Sequence, residues 1–230
     1  MPLLPVLIGQ ALAVRARAQR LPEPPGARVG AGGDGPVLRL LIVGDSSAAG
    51  VGAETQQAAL SGQLAARLAQ HHALRWRLEA VTGATTRSTL ARLQAMEPER
   101  FDVAVVALGV NDVTRAVPVR VWTARQRRLH ALLRDRFGVR RIIASGLPPM
   151  AQFPLLPDPL AWVLGCHAAR LDAALAGLAA DDPALEHVPL ALPFAPEYVA
   201  RDGFHPSALA YDHWAGMLAR RLWQGDARKD

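Results

Sequence analysis

Runs of apolar residues alternate along this chain with longer segments in which apolar residues recur at helical spacing. Apolar or alternating runs predict five strands, over residues 37–43, 74–81, 102–108, 141–145 and 187–192. The segments between and after them predict helices over residues 54–70, 88–96, 119–137, 160–180 and 207–223. Strands that are separated by helices favour a parallel sheet that is covered by helices on both faces.

The composition fits a single domain of this kind. Half of the 230 residues are apolar and 20% are charged, which is enough apolar material for a packed core. The single cysteine, Cys166, excludes an internal disulfide framework and a Cys-rich zinc module. The formal charge of +6 would suit an anionic partner, but the arginines are dispersed and often stand at helical spacing with Ala and Leu. We therefore expect solvated helix faces and no nucleic-acid partner.

The first 35 residues are predicted to lie outside the main domain, which we place at residues 36–225. An apolar stretch over residues 2–14 precedes several arginines, and the Pro- and Gly-rich residues 21–35 predict a linker. We favour a helix that packs on the domain, or a loose tail. The alternatives are a helix on a membrane surface, which would be a peripheral contact, and a cleaved signal. The cytoplasm is slightly favoured over the membrane surface or export, and the oligomeric state is left open.

Small polar clusters follow the predicted strands, and parallel sheets bind their ligands at this edge. The sequence GDSS over residues 44–47 ends the first strand, Gly83 follows the second, and GVND over residues 109–112 follows the third. The last helix is preceded by DGFHP over residues 202–206. A serine in a tight turn between a strand and a helix can present its hydroxyl and use the positive end of that helix.

These four blocks, in this order, resemble those of the SGNH (GDSL-like) hydrolases, and the resemblance extends from about Val37 to Trp223. It implies a flavodoxin-like three-layer α/β/α sandwich with a five-stranded parallel sheet. It also implies a serine ester hydrolase that needs neither a metal nor an organic cofactor. Ser47 stands where the family often has Leu, at a position that varies among its members.

The resemblance assigns the chemistry to five residues. Ser46 is the expected nucleophile, and His205 is the expected base that activates it and later protonates the leaving alcohol. Asp202 is expected to orient His205. The backbone N–H groups of Ser46 and Gly83 and the amide of Asn111 are the expected oxyanion donors. Four further motif residues are expected to support the site: Gly44, Asp45, Gly109 and Asp112.

The expected substrate is a small-molecule ester with a short-to-medium acyl chain, or a lysolipid-like ester. The Pro-rich segment after residue 147 either lines an acyl pocket or packs under the domain, and its pocket candidates are Met150, Phe153, Leu156 and Trp162. Two other functions stay open, a carbohydrate O-acetyl esterase and a non-catalytic binding protein with the same fold. Acyl transfer to an alcohol acceptor instead of water also stays open.

Other catalytic or metal-binding arrangements are disfavoured. No serine stands in a Gly-x-Ser-x-Gly pattern, because residues 44–48 read GDSSA, which argues against the α/β-hydrolase turn. Cys166 and His167 are adjacent on a predicted helix, so their side chains point in different directions. His71 and His72 have no partners at metal-ligand spacing, and no metal site is expected.

Overall fold

The computed structural model describes residues 3–193 and 195–226. Its strands are β1 (Val29–Gly32), β2 (Val37–Gly44), β3 (Ala73–Ala80), β4 (Val103–Ala107), β5 (Arg141–Ser145) and β6 (Leu185–Val188). Its helices are α1 (Leu3–Arg17), α2 (Leu60–Leu68), α3 (Thr86–Ala95), α4 (Val110–Thr114), α5 (Val119–Phe137), α6 (Leu160–Ala180) and α7 (Ala208–Asp226). Short 3₁₀ turns lie at Met150–Gln152 and Pro196–Tyr198.

The strands form one sheet in the order β1-β3-β2-β4-β5-β6. All neighbouring pairs are parallel except β1 and β3, which are antiparallel. Without β1, the parallel strands have the flavodoxin-like order, in which the chain turns back beside its first strand. The predicted three-layer α/β/α fold is confirmed, and the sheet has one more strand than the predicted five.

Alternate side chains of the central strand β2 point into two separate hydrophobic clusters. Leu41 and Val43 pack with α5 and α6, whereas Leu40 and Ile42 pack with α2 and α7. All four side chains are fully buried. This alternation explains why the strand is apolar throughout its second half, since both faces of a central parallel strand lie under helices.

Several element boundaries differ from the predicted ones. The predicted linker over residues 21–35 contains the edge strand β1, in which Val29 pairs with Arg77 and Gly32 with Leu74. Its sequence VGAG does not alternate between apolar and polar residues. It is a strand because it pairs with the free edge of β3. The helix predicted over residues 54–70 begins at Leu60, because residues 47–59 form a series of turns, and α4 was not predicted. The last strand ends at Val188 instead of continuing to residue 192.

Among the described helices, α6 has the length and hydropathy that a membrane span needs. One of its faces lies in the core, however, through Leu171, Leu175 and Leu178. An apolar helix whose inward face packs against a sheet is typical of a three-layer domain, so length and hydropathy are weak indications of a span here.

Candidate active site

Ser46 lies in the turn that directly follows β2. Strand β2 ends very close to β4, since a Cβ atom on Gly44 would come within 2.7 Å of the Ala107 carbonyl oxygen. Gly44 therefore has no room for a side chain. Hydrogen bonds from the Ala49 N–H to the Asp45 oxygen (2.9 Å) and from the Val51 N–H to the Ser46 oxygen (3.0 Å) close the turn. The first long helix after it begins only at Leu60, so Ser46 is not at a helix N-terminus as the sequence suggests.

His205 and Asp202 lie in the loop before α7 and extend a line of hydrogen bonds from Ser46. The Ser46 Oγ atom is 2.9 Å from His205 Nε2, and His205 Nδ1 is 2.5 Å from Asp202 Oδ2. The other carboxylate oxygen of Asp202 accepts the N–H groups of Phe204 and His205, both at 3.0 Å. The structure thus brings together three predicted residues that are up to 159 positions apart in sequence.

The charge of Asp202 sets the tautomer of His205. Burial by itself raises the pKa of the Asp202 carboxyl, but hydrogen bonds from His205 and Phe204 outweigh it, so the pKa lies below its usual range. The ionised carboxylate accepts a hydrogen bond from the Nδ1–H group, so the proton of the neutral ring stays on Nδ1 and Nε2 keeps its lone pair. This lone pair faces Ser46 Oγ, and the arrangement can therefore accept the serine proton.

The three predicted oxyanion donors belong to separate loops around Ser46. Among the described residues, the backbone N–H groups of Ser46 and Gly83 have no acceptor. Gly83 has a φ of +79°, which favours glycine, and a Cβ atom there would face open space. The Asn111 amide lies 3.1 Å from the Ala84 oxygen and 3.4 Å from Asp45 Oδ2. These contacts connect the loops after β2, β3 and β4.

Two buried aspartates of the motifs support these loops. Asp45 accepts the N–H (3.0 Å) and the hydroxyl (2.8 Å) of Ser47 through one oxygen. Asp112 accepts the N–H and the hydroxyl of Thr86, both at 2.9 Å, at the start of α3. Burial raises the pKa of both carboxyls, and the hydrogen bonds oppose it. Asp45 therefore stabilises its own turn, whereas Asp112 joins the loop after β4 to the start of α3.

An apolar cavity opens beside Ser46 and His205. It encloses about 800 Å³ of empty space, a figure that includes its open mouth and the adjoining solvent. Its apolar walls come from the loops after β4, β5 and β6 and from the loop before α7, through Leu108, Leu147, Phe153, Leu190, Leu192 and Phe204. Such a cavity can take up an acyl chain whose carbonyl carbon lies at Ser46 Oγ.

Residues 42–213 match the model of the GDSL-like Lipase/Acylhydrolase family. This chain belongs to that family. One relative is the GDSL-like esterase Rv1075c of Mycobacterium tuberculosis. It is 30% identical over 241 residues, which cover 93% of this chain and 74% of the relative. The GDSL-like hydrolase described here is therefore an ester hydrolase.

Solved structures of similar proteins have the same fold. The crystal structure of TesA matches with a TM-score of 0.63 and 21% identity over 80% of this chain and 97% of its own. The psychrotrophic esterase EstA from Pseudoalteromonas sp. matches with a TM-score of 0.62 and 18% identity, over 81% and 98% of the two chains. The acetylxylan esterase Axe2 from Geobacillus stearothermophilus matches with a TM-score of 0.57 and 19% identity, over 82% of this chain and 94% of its own.

Of the four residues predicted to line an acyl pocket in this GDSL-like hydrolase, only Phe153 lines the cavity. Met150 is fully buried in the core, Leu156 packs against that core, and Trp162 is 61% exposed. The Pro-rich loop turns only part of its apolar surface towards Ser46, and sequence does not show which part. Leu190 and Leu192 were missed because the last strand was expected to run through them.

A second histidine–aspartate pair supports the cavity wall of the hydrolase. His187 Nε2 lies 2.9 Å from Asp172 Oδ1, and the same oxygen accepts the Leu147 N–H at 2.8 Å. Hydrogen bonds from His187 and Leu147 lower the pKa of the Asp172 carboxyl against the effect of burial. The sequence analysis did not identify this pair, since its members lie on α6 and β6 outside the four motif blocks.

Proposed function

We propose that this GDSL-like hydrolase cleaves carboxylic esters with short-to-medium acyl chains through an acyl-enzyme on Ser46. The observation that carries the proposal is the line of hydrogen bonds from Ser46 through His205 to Asp202 at the mouth of an apolar cavity. A nucleophile, a base and an orienting carboxylate are the components that acyl transfer needs.

The reaction proceeds in two halves. His205 Nε2 takes the Ser46 proton while Oγ attacks the ester carbonyl carbon, and the oxyanion receives hydrogen bonds from Ser46, Gly83 and Asn111. The C–O bond to the alcohol then breaks, and His205 returns its proton to the departing alkoxide. In the second half, water gives a proton to His205 and attacks the acyl-enzyme, which releases the carboxylic acid and restores the Ser46 hydroxyl.

The cavity favours acyl chains that are longer than acetyl, because its walls are formed by leucine and phenylalanine side chains. Each methylene that leaves water for such walls contributes about 0.8 kcal/mol, or roughly four-fold in kcat/KM. The alternative substrate is an acetylated carbohydrate, which the fold similarity to the acetylxylan esterase Axe2 brings into consideration.

Turnover of p-nitrophenyl esters from acetyl to palmitoyl distinguishes the two substrate classes. We expect kcat/KM to rise from acetyl to an optimum between butyryl and octanoyl and to fall at palmitoyl. The variant Leu192→Trp fills part of the cavity and should move the optimum towards acetyl, whereas Val121→Trp, on the outer face of α5, should leave the profile unchanged. A maximum at acetyl in the wild-type protein would favour the carbohydrate O-acetyl esterase.

We further propose that α1 binds the surface of an anionic membrane. The helix has no buried residue and no acidic residue in its first turn. Five of its large apolar residues are about half exposed or more: Leu3, Leu4, Val6, Ile8 and Leu12. Arg15 and Arg17 stand in its last turn, and basic residues near an anionic bilayer contribute about 1 kcal/mol each. At 15 residues, the helix is shorter than the roughly 20 residues that a transmembrane helix needs.

Helix α1 is attached to the end of the Pro-rich loop that contributes to the cavity wall. The Gln10 side chain donates to the Asp158 oxygen (2.6 Å) and accepts the Leu160 N–H (3.1 Å). These residues end the Pro-rich loop whose Leu147 and Phe153 line the cavity. The exposed Trp162 lies in the first turn of α6, and indole rings are favoured at membrane interfaces. A membrane-bound α1 would therefore bring the cavity close to lipid.

Flotation with vesicles tests the membrane contact. We expect the protein to float with vesicles that contain 40% phosphatidylglycerol and not with pure phosphatidylcholine. Ile8→Asp combined with Leu12→Asp should abolish flotation, since two charges then oppose burial in the interface. The matched control is Val121→Asp, which places a charge on another exposed aliphatic position, on α5. Wild-type protein that stays at the bottom of the gradient with both vesicles would contradict the proposal.

A further inference from the structure

Residues 23–28, called here the N-terminal strap, are docked beside the active site although their sequence resembles a linker. Pro24 is buried, and its oxygen accepts the Gln56 side-chain amide at 3.3 Å. The Pro25 oxygen accepts the Gln56 N–H at 2.9 Å. Gln56 in turn donates to the Ala49 oxygen at 2.8 Å, in the turn that follows Ser46. The strap is thus attached to the segment that leads away from the nucleophile.

The carboxylate of Glu23 reaches from the strap to the loop after β3. One oxygen accepts both the N–H and the hydroxyl of Thr82, each at 2.8 Å. The other oxygen lies 2.9 Å from Nη1 of Arg28, whose second nitrogen donates to the Ala80 carbonyl oxygen. Burial opposes ionisation of Glu23, but the bonds from Thr82 and the charge of Arg28 outweigh it, and the pKa lies below its usual range.

Thr82 directly precedes Gly83, whose N–H is one of the three oxyanion donors proposed above. The rest of this turn is held from the other side, because Arg115 donates to the Gly83 oxygen (3.2 Å) and Asn111 to the Ala84 oxygen (3.1 Å). The Ala84 N–H bonds back to the Val81 oxygen at 3.0 Å. On the N-terminal side of Gly83, Arg28 holds the Ala80 oxygen, and among the described residues Glu23 is the side chain that bonds to Thr82 itself.

We propose that Glu23 is a positioning residue, which holds the turn at Thr82 and Gly83 so that the Gly83 N–H points at the oxyanion. The inference rests on the proposed serine esterase function, and it extends the site beyond the residues of the family match, which begins at residue 42. Oxyanion donors accelerate the reaction only when they are oriented before the charge develops. Gly83 keeps the orientation of its N–H group while both neighbours, Thr82 and Ala84, are held by hydrogen bonds. If Thr82 is released, the peptide group between Thr82 and Gly83 can rotate.

Kinetics of Glu23→Ala on p-nitrophenyl butyrate test the role. Loss of a whole oxyanion donor lowers kcat by about 10²–10³, and a loosened donor should cost less, so we expect roughly a ten-fold fall in kcat. KM should change by less than about two-fold, because the acyl cavity is untouched. Labelling of Ser46 by a fluorophosphonate should slow by a similar factor, since its phosphoryl oxygen occupies the same donors. Glu23→Gln keeps an acceptor for Thr82 and should recover most of the rate.

The matched control is Glu186→Ala. Glu186 is a glutamate with nearly the same side-chain exposure as Glu23 (31% against 32%), and it also pairs with an arginine, Arg141 at 2.8 Å. It lies on β6 away from Thr82. We expect Glu186→Ala to retain wild-type kcat and labelling rate, although both variants lose a salt bridge.

The outcomes separate this inference from the proposed function. If turnover and labelling depend on Ser46, but Glu23→Ala and Glu186→Ala have the same kcat, the positioning role of Glu23 is wrong and the serine mechanism stands. If the wild-type protein has no Ser46-dependent turnover or labelling, the proposed function itself fails. Should Glu23→Ala not fold, Thr82→Val removes only the hydroxyl bond, and an unchanged kcat in that variant would equally overturn the inference.

Discussion

Replacing Ser46 with alanine is expected to lower kcat on p-nitrophenyl butyrate by about 10⁶-fold, the scale found when the nucleophile of a serine hydrolase is removed. Ser46 is 8% exposed, and its Oγ lies 2.9 Å from Nε2 of His205, which lines the same cavity. Alanine removes the attacking oxygen and leaves His205 without a proton to accept. The remaining rate reflects only binding and the oxyanion donors.

A loss of this size has to be distinguished from misfolding. Ser61→Ala is the matched control, since Ser61 is a buried serine on α2 that bonds to Gln56 at 2.9 Å and does not line the cavity. We expect Ser61→Ala to retain activity within about three-fold and both variants to unfold cooperatively. Full esterase activity in Ser46→Ala would refute the acyl-enzyme mechanism. Absence of fluorophosphonate labelling in an inactive wild-type protein would instead favour a non-catalytic binding protein.

Asp202→Asn is expected to lower kcat by about 10⁴-fold, with little change in KM, as the equivalent change does in Ser–His–Asp proteases. The asparagine oxygen can still accept the N–H groups of Phe204 and His205, so the loop keeps its shape. Its amide then faces His205 Nδ1, where a carboxylate oxygen lies at 2.5 Å in the native protein. This favours the tautomer with its proton on Nε2, and such a histidine cannot take the proton of Ser46.

Asp172→Asn is the control for this prediction. Asp172 also pairs with a histidine, His187 at 2.9 Å, but this pair supports the cavity wall and does not contact Ser46. We expect less than a ten-fold change in kcat, with any effect appearing in the chain-length preference. Equal losses in the two variants would show that a carboxylate–histidine pair is needed for folding alone, and the proposed role of Asp202 would then be wrong.

Local patterns in the sequence were sufficient to predict the fold class. The second half of β2 is buried on both faces and is therefore apolar throughout, whereas α5 has a clear apolar face and is followed by Gly138 in a left-handed conformation. The parallel topology places the ends of β2, β3 and β4 at one edge. Ser46, Gly83 and Asn111 follow those strands, so their proximity was predictable once the alternation was recognised.

Contacts between distant segments decided the remaining features. The strand β1 forms because β3 has a free edge with which it can pair. Its sequence VGAG has no alternation of apolar and polar residues that would predict a strand. The fold of the Pro-rich loop decides which of its residues line the cavity. Phe153 lies at the cavity wall, whereas Trp162, shortly after the loop, is exposed to solvent. Glu23 reaches Thr82 across 59 positions. Periodicity and motifs report each segment's own preferences, whereas such pairings arise only when segments that are remote in sequence pack together.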